Sequence, residues 1–417
     1  MTGAETLARQ PGRAGKTFLL GLSLIGLTAF AYFFYVTTVP SNPHTATNGS
    51  FDLGIVRELR AGPGRGFLFN RPLGLYLVPT WLFSYVSHNY LEAHRYASAL
   101  WGTLSVLATF LLARRLYSTG TAVVVTLALA LNFWHVATAR FQPWLCAPFG
   151  AALTWCAVVW ACDTWRLLAA ACAGVVLGLS LLLYSPIQIL LITVPAWWLW
   201  HALVTPGWWR RTIGSVLIIG VVAWFTLTPL RKHAGWSTFF QRNRDVMFDG
   251  SEMNGALEGQ GALWRQMQRQ ARVVTGGADI GVNLPIPEPL LNPLEVGFAV
   301  IGLVVCVRRL RDPRMTIAPL WLFLTCLAVD LSSVADAGRR LAVALPAWAL
   351  LAGLGARASV EFLRRHVARR WFLIIVPAAA VGLASFDLTV NAVHLRAFIE
   401  RMNLANDDPA ALEPWPD

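Results

Sequence analysis

Charged residues are scarce in this chain of 417 residues, and their scarcity excludes most soluble folds. Only 13% of the residues are charged, whereas 56% are hydrophobic. Soluble domains carry about 25% charged residues. Half that share, together with 19 Trp and 22 Phe, predicts an integral membrane protein.

The sequence also lacks the spacing of a metal site or a disulfide framework. None of its cysteines forms a C-x₂-C pair, and all lie in or at the edges of apolar segments. We interpret them as small residues that face lipid or the core. They are Cys146, Cys156, Cys162, Cys172, Cys306 and Cys326.

A single basic stripe is missing as well, although the net charge is +12. The arginines cluster between apolar runs, so we predict no nucleic acid partner. The bilayer is the partner that this composition indicates.

Long apolar runs are plentiful, and a run of about 20 residues can cross the hydrocarbon core as a helix. The sequence therefore predicts an all-α polytopic membrane protein with about eleven transmembrane helices. The first run is too long for a cleaved signal, and no small-residue cleavage site precedes Pro40. The predicted spans are 17–39, 96–114, 120–139, 145–162, 166–184, 186–204, 212–229, 293–308, 316–334, 340–356 and 371–389.

The segment 72–87 is apolar but short, and Pro79 interrupts it. If it lies in the membrane interface, every arginine-rich connection falls on the cytoplasmic side with the basic N-terminus. If it spans, Arg114, Arg115 and all later clusters move outside. The positive-inside rule therefore favours the interfacial helix. It predicts a multi-pass protein of the bacterial inner (plasma) membrane, with the N-terminus in the cytoplasm and the C-terminus outside.

This orientation gives one membrane domain, 1–389, with outer loops at 40–95 and 230–290 and a short outer tail at 390–417. No short internal repeat occurs, and no matched pair of Gly/Pro-broken spans indicates an inverted-repeat transporter. In the second loop, 254–274 has the pattern of an amphipathic helix that rests on the membrane surface.

The first outer loop contains two acids in the stretch SFDLGIVRELR. The residues after Asp52 predict a short amphipathic helix that ends at Gly62. Asp52 fits either an N-cap of that helix or a general base for an attacking hydroxyl. Glu58 lies between Arg57 and Arg60, and we predict that it is solvated and forms an ionic partner of these arginines.

A succession of motifs punctuates the apolar spans. They include FNRPLGLYLVPTWLFSY, HNYLEAHRYASALWG, ALNFWHVATARFQPW, LLLYSPIQILL, GGADIGVNLPIPEPLLNPLEVGF and DAGRRLAVALPAW. From about residue 17 to 356, their order resembles glycosyltransferase family 39 within the GT-C superfamily. This family contains bacterial relatives of protein O-mannosyltransferase and of the lipid A aminoarabinose transferase. The order of the motifs carries the resemblance, because no single motif is decisive.

The resemblance implies a GT-C-type fold with interfacial helices in the first outer loop. It implies an inverting, mannosyltransferase-like enzyme that uses a polyprenyl-phosphate-linked sugar as donor. The acceptor is a glycan, lipid or protein on the extracytoplasmic face. In this mapping Asp52 is the catalytic general base.

The donor phosphate must be held at the interface, and arginine suits it because its planar fork donates two hydrogen bonds to an oxyanion. The resemblance assigns this role to Arg71, Arg95, Arg140, Arg339 and Arg340. Arg71 and Arg140 have the alternative of snorkelling to the interface. Arg95 has the alternative of an ion pair with Glu92 on the same helix.

Four residues are mapped to the walls of the substrate groove by the same resemblance. They are His135, Tyr184, Gln188 and Asn283. A packed histidine, a core tyrosine and a turn-forming asparagine are the structural alternatives for His135, Tyr184 and Asn283.

The chain departs from the family in the first loop, where many members have Asp-Glu and this chain has Asp52–Leu53. A role that needs two carboxylates is therefore in doubt. No metal ligand is predicted, and a need for a divalent metal stays open.

The departure leaves two alternatives to a glycosyltransferase. One is a non-catalytic GT-C-fold subunit that binds lipid or a membrane protein partner. The other is a transporter of lipid-linked sugars, which predicts acids at mid-membrane depth. Asp330 and Asp387 lie near span ends, so they offer it little support.

Overall fold

The computed structural model describes residues 26, 29, 33, 49–62, 74–141, 143–228, 262–276, 279–280, 285–286, 289–330 and 340–402. These segments are almost entirely helical, and the predicted all-α class is confirmed. The first helices are α1 (Gly49–Ala61), α2 (Val78–Phe83), α3 (Tyr90–Leu116), α4 (Thr119–Leu131), α5 (Phe133–Phe141), α6 (Cys146–Thr164) and α7 (Leu167–Leu181). They are followed by α8 (Leu190–Val204), α9 (Trp208–Thr226), α10 (Ala262–Thr275), α11 (Pro293–Val307), α12 (Pro313–Asp330), α13 (Leu345–His366) and α14 (Arg369–Met402).

Short non-α elements join some of these helices. 3₁₀ turns occupy Gly74–Leu77, Pro143–Leu145, Ser185–Ile189 and Ala342–Ala344. The strands β1 (Asp279–Ile280) and β2 (Pro285–Ile286) pair antiparallel. All of them lie in connections between helices, and Leu145, Ile187 and the whole Ala342–Ala344 turn are buried in the core.

Helix ends in this chain follow local capping chemistry. Ser118 Oγ accepts the Thr121 N–H at 3.3 Å and so starts α4 two residues after α3 ends. Trp165 ends α6 in the left-handed conformation, with φ of 54°. Gly207, with φ of 76°, occupies the sharp turn before α9. These caps allow turns of two or three residues, which force the helices they join to run antiparallel.

Short turns between helices meet at one end of the bundle. The Asp163 carboxylate lies 3.8 Å from Arg115 and 3.5 Å from Arg314. These contacts connect the α6–α7, α3–α4 and α11–α12 turns. Trp200 Nε1 donates to the Leu310 carbonyl at 3.1 Å and brings the end of α8 to the same place. We call this the basic end, because it holds Arg114, Arg115, Arg166, Arg210, Arg211, Arg308, Arg309, Arg311, Arg314, Arg364, Arg365, Arg369 and Arg370.

Longer connections gather at the opposite end, which we call the loop end. It comprises 74–90, 132–146, 182–190, 289–293 and 340–345. The Ser180 hydroxyl donates to the Gly150 carbonyl at 3.1 Å. A side chain on Gly150 would touch Leu183 and Ile187. The Ser185–Ile189 turn therefore lies against the start of α6.

Tryptophan rings fill the centre of the bundle. Trp155 of α6 contacts Trp197 of α8 and Trp321 of α12, with ring centroids 5.7 Å and 6.4 Å apart. All three side chains are buried. The core therefore ties together helices that are far apart in the chain.

Large apolar side chains also cover much of the outside of the bundle, as expected where lipid replaces water. They include Leu217, Val221, Trp224 and Phe225 on α9 and Val300, Val304 and Val307 on α11. A soluble monomer rarely exposes such continuous apolar surface. The chain is a multi-pass membrane protein.

Four described helices are long and apolar enough to cross a membrane, and the number is five if α4 and α5 count as one bent span. The predicted number of eleven is not confirmed. The predicted span 120–139 is broken at Asn132, where the chain bends by 60°. The predicted span 17–39 lies almost wholly outside the described residues. The last predicted span belongs to α14, which continues to Met402 inside the predicted tail.

The two predicted surface segments differ in their outcome. Residues 72–87 include a four-residue 3₁₀ turn and the six-residue α2, which are too short to cross a membrane. The described part of the second segment, 262–274, lies in α10, but Gln270, Val273 and Val274 are buried. Gln270 Nε2 donates to the Cys326 carbonyl of α12 at 2.8 Å. One face of α10 therefore packs on the bundle.

The closest helix packing, between α11 and α13, generates a stability prediction. A Cβ on Gly302 would collide with the Leu351 carbonyl, and one on Gly355 with the Phe298 carbonyl. We expect Gly302→Ala and Gly355→Ala each to cost about 3 kcal/mol, since backbone cannot move aside as a side chain can. Thermal melting of the detergent-solubilised protein measures the loss.

Gly297→Ala is the matched control on α11. Gly297 is exposed, and a Cβ there would meet nothing within 4 Å. Its melting temperature should stay unchanged or rise slightly, because alanine favours a helix. Equal melting of Gly297→Ala and Gly302→Ala would refute the proposed close contact.

Candidate functional site

The helix α1 carries Asp52 in its first turn. Because α1 includes Gly49–Ala61, the N-cap alternative for Asp52 is wrong. Ile55, Val56 and Leu59 are buried, and position 52 completes their i, i+3, i+4, i+7 series. Helical periodicity therefore puts position 52 on the face that meets the rest of the protein.

Glu58, the second acid of α1, is exposed. Its position in the helix falls outside the i, i+3, i+4, i+7 series that ends at Leu59. The predicted exposure of Glu58 is confirmed, and its pairing with Arg57 and Arg60 stays a prediction. The two acids of this helix are therefore not equivalent.

The C-terminal end of α1 is anchored to α2 by Arg60. Its guanidinium donates to the carbonyl of Ser84, the residue that caps the C-terminus of α2. The same group lies 5.4 Å from the ring centroid of Tyr85. Gly62 follows with φ of 139° and ends the helix. Arg60 thus supplies a hydrogen-bond donor to a carbonyl that has no partner within α2, and it attaches α1, the helix that carries Asp52, to α2.

Arg95 lies one turn into α3, and the start of α3 uses Glu92 heavily. Asn89 Oδ1 accepts the Glu92 N–H at 3.0 Å, and the Glu92 carboxylate accepts the His88 N–H at 2.7 Å. The Tyr96 hydroxyl also donates to Glu92 at 2.9 Å. Glu92 is therefore a capping residue. The Arg95 side chain is half-buried beside this cap, and its phosphate role stays a prediction.

The bend between α4 and α5 sets the direction of the helix that carries His135 and Arg140. Asn132 Oδ1 accepts the His135 N–H at 3.0 Å, and the Asn132 carbonyl accepts the Val136 N–H at 3.0 Å. Asn132 is thus the N-cap of α5. The His135 side chain is fully buried, and its place in the substrate groove stays a prediction.

The side chain of Asn132 also reaches two residues near the end of the second outer loop. Asn132 Nδ2 donates to the Leu290 carbonyl at 2.9 Å and to both Glu295 oxygens at 3.2 Å. Asn292 and Glu295 form a capping box at the start of α11, with both bonds 2.9 Å long. We call the two hydrogen-bonded residues Asn132 and Glu295 the Asn132–Glu295 pair. A small hollow beside it is lined by Leu129, Leu291, Leu345 and Trp348, among others.

The remaining described candidates lie on irregular connections of the loop end. Tyr184 is half-buried before the Ser185–Ile189 turn, and Gln188 is buried within it. Arg340 is half-buried just before the Ala342–Ala344 turn, which packs on α6 and α12.

The structure brings together the elements of three predicted site residues, Arg95, His135 and Arg140. The helix α3 packs on α5 and on the Pro143–Leu145 turn, and that turn meets Gly74–Leu77. Asp52 lies on α1, which packs on α2. Tyr184 and Gln188 lie at the Ser185–Ile189 turn and Arg340 just before Ala342–Ala344, and both turns pack on α6 and α12. Asp52 and Arg140 are described by their main chain only. Arg71, Asn283 and Arg339 lie outside the described residues.

A resident metal has no ligand set within the described part of the chain. No group of three or more His, Cys, Asp or Glu side chains there could hold a metal ion. The side chain of Asp52 is not part of that description, and a divalent metal stays a prediction.

Sequence reasoning missed Asn132 and Glu295. Two signals were present: a polar Asn inside an otherwise apolar predicted span, and the Asn-Pro-Leu-Glu sequence at 292–295. The second has the spacing of a capping box, with Glu three residues after the N-cap.

The helical bundle with its irregular connections collected at one end has a GT-C-type fold. Among solved structures, the Archaeoglobus fulgidus oligosaccharyltransferase tethered with an acceptor peptide containing the NVT sequon is similar, with a TM-score of 0.60 and 12% identity. The match covers 95% of this chain and 60% of that one. This chain thus spans about 60% of the length of that enzyme.

ArnT from Cupriavidus metallidurans shares the fold as well. Its structure bound to undecaprenyl phosphate gives a TM-score of 0.54 at 17% identity, over 92% of this chain and 70% of that one. Its apo structure gives 0.52 at 16% identity, over 91% and 73%. No protein-family model matches the sequence, and no curated protein matches it. Both neighbours are GT-C glycosyltransferases, and at these identities the likeness establishes the fold.

The anchor of α1 generates a prediction for the first loop. Arg60→Ala removes a charged hydrogen bond and a cation–π contact, which together stabilise the docked helix by about 1.5 kcal/mol or more. We expect amide hydrogen exchange in 54–61 to become about tenfold faster, since 1.4 kcal/mol corresponds to a factor of ten.

Exchange measured by mass spectrometry on the full chain in nanodiscs tests this prediction. Glu58→Ala is the control, because Glu58 is exposed on the same helix and should leave the exchange rates unchanged. Equal rates in Arg60→Ala and the wild type would show that the apolar face alone docks α1.

Proposed function

We propose that this protein is an inverting membrane glycosyltransferase, which transfers a sugar from a polyprenyl-phosphate donor to an extracytoplasmic acceptor. The observation that carries the proposal is the GT-C-type fold, which covers 95% of this chain in the oligosaccharyltransferase match and 92% in the ArnT match. The ArnT structure contains undecaprenyl phosphate, which supports a donor of the polyprenyl-phosphate class.

The two ends of the bundle support an orientation in the bacterial inner membrane. The basic end, with its arginine clusters, faces the cytoplasm by the positive-inside rule. The loop end then faces outward. The helix α14 starts at the basic end and runs to Met402, which puts Met402 on the outer side in this orientation. The proposal includes a cytoplasmic N-terminus and an outer C-terminus.

The loop end suits a donor whose tail stays in the bilayer. The apolar flanks of the bundle accommodate a prenyl chain, while Arg95, Arg140 and Arg340 belong to the elements gathered at this end. A guanidinium binds a phosphate oxyanion through two parallel hydrogen bonds. The phosphate is therefore held at the interface, next to the loops that would receive the acceptor.

Asp52 is the proposed general base of the transfer. Its carboxylate takes the proton of the acceptor hydroxyl while that oxygen bonds to the anomeric carbon. The bond from the anomeric carbon to the phosphate oxygen breaks on the opposite face, and polyprenyl phosphate leaves with the electron pair. The position of Asp52 on the inward face of α1 supports it over Glu58, which is exposed.

One observation favours a second candidate, a non-catalytic subunit with the same fold. Leu53 occupies the position where many relatives have a second acid. Such a subunit would bind lipid or a membrane protein partner without transferring sugar.

Substitution of Asp52 tests the base. Asp52→Asn should lower transfer at least about 100-fold, because general bases contribute factors of about 10² to 10⁴. Release of polyprenyl phosphate from a supplied polyprenyl-phosphate sugar, with membrane extract as acceptor, measures the rate in proteoliposomes. Glu58→Gln is the matched control and should keep the wild-type rate. Full activity of a folded Asp52→Asn protein would remove Asp52 from the mechanism.

The donor class has a separate test. Mass spectrometry of lipids that co-purify with the full chain should detect polyprenyl phosphate or its glycosides, since the proposed site holds the phosphate and the bilayer holds the tail. A protein that carries no such lipid, transfers no sugar and purifies in a stable complex would be the subunit and not the enzyme.

A further inference from the structure

We propose that Asn132 and Glu295 are positioning residues, which join the second outer loop to α5 and so set the placement of the helix that carries His135 and Arg140. This proposal deepens the proposed function and rests on it. It starts from the Asn132–Glu295 pair, whose members are separated by 163 residues in the chain.

The Asn132 side chain has its orientation determined by its partners. The His135 backbone N–H can only donate, so the atom that it reaches at 3.0 Å must be the amide oxygen. The two amide hydrogens of Asn132 then point toward the Leu290 carbonyl and the Glu295 carboxylate. One buried side chain thus uses its oxygen for α5 and its nitrogen for the loop.

Glu295 is matched to this arrangement as a hydrogen-bond acceptor. Both of its oxygens face the Asn132 amide, and one also accepts the Asn292 N–H at 2.9 Å. The positive end of the α11 dipole favours a negative charge there. Only 7% of Glu295 is exposed, so a lost donor would not be replaced by bulk water.

The loop side of the contact continues into α10. Leu290 and Leu291 donate their N–H groups to the carbonyls of Val273 and Val274 at 2.9 Å and 3.0 Å. These bonds attach the end of α10 to Leu290, and the Leu290 carbonyl accepts the hydrogen bond from Asn132. A continuous chain of hydrogen bonds therefore runs from α10 through Leu290 and Asn132 to the first turn of α5.

The position of α5 is sensitive to this connection because the helix is short. It has nine residues, too few for stability on its own, and it departs from α4 at an angle of 60°. Arg140 lies about 12 Å along the axis from Asn132, at about 1.5 Å per residue. A change of about 10° in the bend would move it by about 2 Å, and errors of about 1 Å already cost roughly 100-fold in rate.

The test is Asn132→Asp in the full chain. Aspartate caps a helix as well as asparagine, so the bond from the His135 N–H survives. The donor to Leu290 and Glu295 is lost, and two carboxylates then face each other. We expect amide exchange to become at least tenfold faster in 289–291 and 133–137, and binding of undecaprenyl phosphate to weaken about tenfold.

The double variant Asn132→Asp/Glu295→Gln supplies the rescue. The amide introduced at position 295 can donate to the carboxylate introduced at position 132 and still accept the Asn292 N–H, so donor and acceptor exchange places. Exchange in 133–137 and lipid binding should return most of the way toward wild type, whereas exchange in 289–291 should return only in part, because the Leu290 carbonyl still lacks its donor. Thr126→Ala is the control, because the hydroxyl of buried Thr126 donates to the Ala122 carbonyl of its own helix at 2.7 Å. It should lower the melting temperature without altering either segment or lipid binding.

Each outcome decides the proposal. Faster exchange in both segments, reversed in 133–137 by the double variant, supports the connection. Faster exchange in only one segment, or no rescue, overturns it. If both segments loosen while undecaprenyl phosphate binding and transfer stay at wild-type levels, the positioning role is overturned. A wild-type protein that transfers no sugar would contradict the proposed function. The measurements of amide exchange and lipid binding would still test whether Asn132 connects the second outer loop to α5.

Discussion

Every backbone N–H and C=O inside a membrane must find a partner in the protein, and the rest of this structure depends on that constraint. Long helices meet it along the bundle. Where α4 breaks at Asn132, the side chain of this residue replaces the missing helix bond by accepting the His135 N–H at 3.0 Å. Within the described residues, the longer irregular connections lie at the loop end, whereas the basic end has short turns.

The two ends of the bundle have different physical roles. The basic end uses two- to five-residue turns, arginine, and contacts such as Asp163 with Arg115 and Arg314. Such partly exposed ion pairs stabilise weakly, so their main effect is on topology. Both ends hold buried polar groups: His201 and Thr316 are 2.7 Å apart at the basic end, and Asn132 and Glu295 meet at the loop end. Such bonds in a low dielectric are costly to break.

Much of the architecture was predictable because its causes are local. Apolar runs predicted the helices now seen as α3, α6, α8 and α13, and the positive-inside rule placed 72–87 outside the set of spans. Local patterns failed at residue 132, since hydropathy cannot show that one polar residue breaks a span. Local patterns also failed for α10. They showed that this helix has an apolar face, but they could not show that part of that face packs on α12.

The sequence by itself determined the class of protein, the grouping of arginines between spans, and Asp52 as the candidate base, because composition, charge and motif order can be read along the chain. Tertiary structure alone decided which distant residues meet. It placed Arg60 of α1 on the Ser84 carbonyl, and it joined Asn132 to Leu290 and Glu295 across 158 and 163 residues. Such contacts arise from the packing of whole helices, and no local pattern encodes their partners.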